Sequence, residues 1–81
     1  MLDHASNDKI IDLRRMAAEF FQKAAWNQLL ALDNYRENNL VAAERFAQLS
    51  FNDHMNAIEY AGMADAEVEL LLELEMTLEW N

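Results

Sequence analysis

No cysteine and no proline occur among the 81 residues, and glycine occurs once. Without cysteine there is neither a disulfide framework nor a thiolate zinc site, so the staples of small secreted domains are excluded and packing or self-association must hold the chain together. Without proline, and with Gly62 standing alone, long helices can run uninterrupted. The same scarcity rules out a glycine-rich phosphate loop or a glycine-flanked nucleophile elbow at Ser6 or Ser50. Basic residues are few: 6 Lys and Arg against 15 Asp and Glu leave a net charge of −9, and no basic cluster exceeds the pair Arg14 and Arg15. Direct binding to phosphate backbones or anionic membranes is therefore not expected. No apolar run approaches the roughly 18 residues of a membrane span. The first nine residues, MLDHASNDK, show no basic segment followed by an apolar core, so no signal peptide is read there and a cytoplasmic location is expected.

What is present is apolar and helix-forming. Hydrophobic residues make up 53% of the chain, too many for a disordered protein, and residues 1–81 read as one small domain. The stretch Lys9 to Tyr35 keeps a helical period that places Ile10, Leu13, Ala17, Phe20, Phe21, Ala24, Ala25, Ala31, Leu32 and Tyr35 on one broad buried face. Asp12, Arg15, Glu19, Gln22, Asp33 and Glu37 fall opposite. Ser6, Asn7 and Asp8 are N-cap types, predicting a start near residue 8, and Glu37-Asn38-Asn39 predicts a tight turn after Arg36.

From Leu40 to Ala61 a second pattern puts Ala43, Phe46, Ala47, Ser50, His54, Ala57, Ile58 and Ala61 inward, an alanine-rich face suited to the bulky residues of the first helix. Ser50-Phe51-Asn52-Asp53 has the outline of a capping box, but the period continues through it and one continuous helix is expected. Gly62 is read as a left-handed C-cap ending this helix, and Asp65 as the cap of a third element. The expectation is an all-α chain: a long antiparallel hairpin, Lys9 to Arg36 and Leu40 to Ala61, followed by a shorter C-terminal helix. That last element is ambiguous. Val68, Leu70, Leu72, Leu74, Met76, Leu78 and Trp80 hold every even position, a period of two, so the alternative is a β-strand paired with another molecule. The helix is preferred because Leu, Glu and Met favour it and no other segment alternates.

No catalytic, cofactor or metal site is read from the sequence. His54 beside Asp53 is the one chemical candidate; the only other histidine is His4, and no Glu stands three residues before either, so His54 reads as a core residue. The exposed pair Trp26 and Leu30, with Leu70, Leu74, Leu78 and Trp80, are the residues expected to bind a partner. The functional expectation is a non-enzymatic protein-binding module, a small acidic regulator, inhibitor or adaptor that occupies another protein, one with a basic surface included, and that also self-associates. Two alternatives stand beside it: a nucleic-acid mimic presenting Glu67, Glu69, Glu73, Glu75 and Glu79 to a basic groove, and a helical metal or catalytic protein using His54.

Overall fold

The computed structural model describes residues 4–80, and side chains from 7 to 78. Two helices account for it: α1, His4–Arg36, and α2, Leu40–Trp80, packed antiparallel along a rod of 65 × 17 × 13 Å.

The turn between them is set by Asn38, whose φ of 62° lies in the left-handed region that asparagine tolerates. The amide of Asn39 donates to the carbonyl of Asn34 at 2.8 Å and the amide of Asn38 to that of Tyr35 at 3.1 Å. These two bonds form a Schellman closure, satisfying carbonyls that the end of α1 leaves open. Asn39 then accepts from the amide of Ala43 at 2.9 Å, the first bond of α2. The predicted turn after Arg36 and the start at Leu40 are both found.

The seam repeats every seven residues. On α1 it is Ile10, Ala17, Ala24 and Ala31 with Leu13, Phe20, Asn27 and Asn34; on α2 it is Ala43, Ser50, Ala57, Ala64 and Leu71 with Phe46, Asp53, Tyr60 and Glu67. All of these are buried or half-buried. Antiparallel coiled-coil packing follows from that spacing, and a small residue at nearly every heptad lets the two backbones approach closely. Level along the rod is marked by Arg14 with Asp65, Phe20 with Tyr60, Asn27 with Asp53 and Tyr35 with Glu44. Among the described residues, α1 has nothing opposite Leu78, where α2 runs on past the level of His4.

Several expectations are corrected. The shorter C-terminal helix does not exist as a separate element: α2 is 41 residues long and passes straight through Gly62, which is not left-handed, and Asp65 caps nothing. Residues 67–80 are helical, so the strand alternative falls. The alternation was misleading because Ala64, Leu71 and Leu78 carry the seven-residue stripe onward, while Leu70, Leu72 and Met76 add apolar residues around the remaining circumference. Helix α1 is already formed at His4, ahead of Asn7 and Asp8. His54 and Ile58 are exposed, as are Phe21, Ala25, Leu32 and Tyr35. The broad apolar faces read from the sequence are thus each split, one half closing the hairpin and the other half left outside.

Candidate functional site

The outer half of those faces makes one surface. On α1 its positions are Ala18, Phe21, Ala25, Gln28, Leu32 and Tyr35, spaced three and four apart; on α2 they are Ala47, Phe51, His54, Ile58 and Ala61, spaced likewise. This is a second heptad seam, rotated about 100° from the first on each helix. Both halves lie on the same side of the rod. Phe21 meets His54 edge to face with centroids 5.7 Å apart, and a groove of about 570 Å³ runs between Phe21, Ala25 and Gln28 on one helix and Ala47, Phe51 and His54 on the other, floored by Ala24 and Ser50.

Phe21 is 42% exposed and Phe51 59%. Polar contacts close the surface at both ends. At one end Arg14 Nη2 donates to Asp65 Oδ1 at 2.7 Å; at the other the Tyr35 hydroxyl donates to Glu44 Oε1. That bond, then burial, then the carboxylate's charge raise the Tyr35 phenol above its usual range. Between these ends, no residue of this face is an Asp, Glu, Lys or Arg.

The opposite side of the rod is mixed. Asp12, Glu19, Asp33, Arg45 and Glu59 stand there beside Trp26, Leu49 and Met63, and Lys9 Nζ meets Glu67 Oε1 at 2.9 Å. Of the residues expected to bind a partner, Trp26 is 63% exposed on this side, while Leu30 is half-buried at the edge of the seam. Leu70, Leu74 and Leu78 are exposed along the distal part of α2, and the side chain of Trp80 lies outside the described ones. The structure does not bring Trp26 together with the distal leucines, because α2 antiparallel to α1 carries residues 70–78 to the other end of the rod.

His54 and Asp53 diverge. Asp53 points into the seam, where its Oδ2 accepts from Asn27 Nδ2 at 2.9 Å, and His54 points to the groove. Among the described residues no group of three or more His, Asp or Glu side chains is placed to hold a metal ion. Of the glutamates of the mimic alternative, Glu67 is held by Lys9, and the helical period spreads Glu69, Glu73 and Glu75 round the helix. No helix is long and apolar enough to cross a membrane among the described residues.

The groove face was missed as a site because its residues share a broad apolar arc with the seam. The signal that finds it is the three-and-four spacing repeated one position later along α1: Ala17, Phe20, Ala24 and Ala31 for the seam, and Ala18, Phe21, Ala25 and Leu32 for the groove. Neither family models, nor curated proteins, nor solved structures yield a match to this chain.

Proposed function

We propose that this chain is a non-enzymatic interaction module whose work is done by the groove face of the hairpin, which engages helices of a protein partner. The observation that carries the reading is the second heptad seam, apolar between the Arg14–Asp65 and Tyr35–Glu44 contacts. Paired seams at helical spacing are what bundle and groove recognition require, with large side chains at i, i+3 and i+7 set against alanine gaps. The acidic residues concentrate away from this face, where they keep the rod from associating through its other sides.

A photo-crosslinking residue at Phe51, compared with one at Glu59 on the opposite side, tests the reading in cells that express the chain. Adducts to a polypeptide, itself or another, are expected from position 51 and not from 59. Equal yields from both positions, or adducts from 59 alone, would overturn it.

A further inference from the structure

The hairpin by itself is an unfinished fold. Among the described residues no large side chain is fully buried, and the accessible surface is 6259 Å², where a compact protein of 9.4 kDa shows about 5,000 Å². The surplus of about 1,200 Å² exceeds the roughly 800 Å² that each partner buries in a stable interface of ordinary size. One apolar face of a rod supplies an area of that kind, and covering it with two more helices would complete a four-helix bundle.

Resting on the interaction reading above, we propose that the occupant of the groove face is a second copy of this chain. It packs about a two-fold axis along the rod, with both interhelical turns at the same end. In that arrangement α1 of one protomer lies on α2 of the other, and the level marks of the hairpin fix what meets what. Ala18 faces Ala61 of the second copy, Phe21 faces Ile58, Ala25 faces His54 and Leu32 faces Ala47, so the uncharged stripe of each helix meets that of the other. At the ends, Arg14 comes level with Asp65 of the second copy and Tyr35 with Glu44, repeating between protomers the pairings seen within one.

The other two-fold arrangement, with turns at opposite ends, stacks α1 on α1 and α2 on α2. Centred on the groove, it sets Phe51 against Ile58 and Ala25 against Ala25, and brings Glu44 level with Asp65, two carboxylates. Charge thus selects the same-end packing, which moreover has no freedom to slide, because an axis parallel to the rod keeps equal levels together.

Because the chain has no cysteine, a single Glu37→Cys beside the turn carries the only label in a spin-label distance measurement on the purified protein. Turns at one end put the two labels about 20–30 Å apart, from interaxial distances of 8–10 Å plus the label arms. Turns at opposite ends, with Ala25 against Ala25, set the two labelled positions about 36 Å apart along the rod, 24 residues at 1.5 Å per residue, and so about 40 Å or more apart once the lateral offset and label arms are added. The short distance supports the proposal, and the long one overturns its geometry. Ala25→Trp, at a site exposed in the hairpin, should keep the helical circular dichroism and weaken dimerisation at least about tenfold. Unchanged dimerisation would show that this face is not the contact. A purified chain that stays monomeric, while position 51 crosslinks to a different protein in cells, overturns the second copy and leaves the interaction reading standing.

Discussion

Asn27 and Asp53 face each other inside the seam, where a leucine pair would pack more favourably. A half-buried polar pair of this kind contributes little net stability, since both groups give up water to meet, yet it penalises registers that leave either unpaired. Asp53→Ala is expected to cost about 1–2 kcal/mol by orphaning the Asn27 amide. Asn27→Leu together with Asp53→Leu should instead raise the melting temperature; a double variant less stable than either single one would contradict this. Ser50 is the second such residue, buried in the seam with its Oγ donating to the Ala24 carbonyl at 2.7 Å. Ser50→Leu should destabilise by about 1–3 kcal/mol through overpacking, measured by thermal unfolding. At the turn, the Tyr35 phenol is held neutral by its bond to Glu44, so its pKa stands above 10.0. The stabilisation is complete below the unfolded value and is lost as pH rises through the folded one. Ultraviolet titration should show Tyr35 ionising late in the wild type, and Glu44→Gln should return it towards the ordinary value.

At the scale of the element, Gly62 separates two accounts of α2. A left-handed C-cap would make Gly62→Ala destabilising, whereas a mid-helix glycine without positive φ, with nothing within 4 Å of an added Cβ, makes it stabilising. The variant should gain about 0.5–1 kcal/mol in chemical unfolding. The two helices and the turn at Glu37–Asn39 were legible because each rests on local chemistry: alanine, leucine and glutamate runs for the helices, and asparagine's tolerance of left-handed φ for the turn. Gly62 was misread because one residue type serves both as a stop and as a tolerated interior residue, and only the continuation of the stripe through Ala57, Ala64 and Leu71 distinguishes them. The candidate site was half legible. Its residues were seen as apolar, but assigning them all to one face hid that Ala24 and Ala25, or Phe20 and Phe21, point to different neighbours. That split is a tertiary choice: either seam offers an apolar stripe, and α2 takes the one whose alanines lie opposite its own.

The whole molecule, over its described residues, is a single layer of two helices. A rod 65 Å long and 17 Å wide has too little interior to bury Phe21, Phe51, Leu32 and Ile58 against its own chain, and the proposal assigns their covering to a second copy. Trp26 and Leu30 belong to the opposite, charged side, and Trp26→Ala should leave association through the groove unaltered. Sedimentation equilibrium of the purified wild type beside Phe51→Glu tests the central claim most directly. The account predicts about twice 9.4 kDa for the wild type, and a monomer of unchanged helix content for the variant, whose buried carboxylate would have no partner in the bundle. A dimer that survives Phe51→Glu, or a wild type that remains at 9.4 kDa across the concentration range, would contradict it.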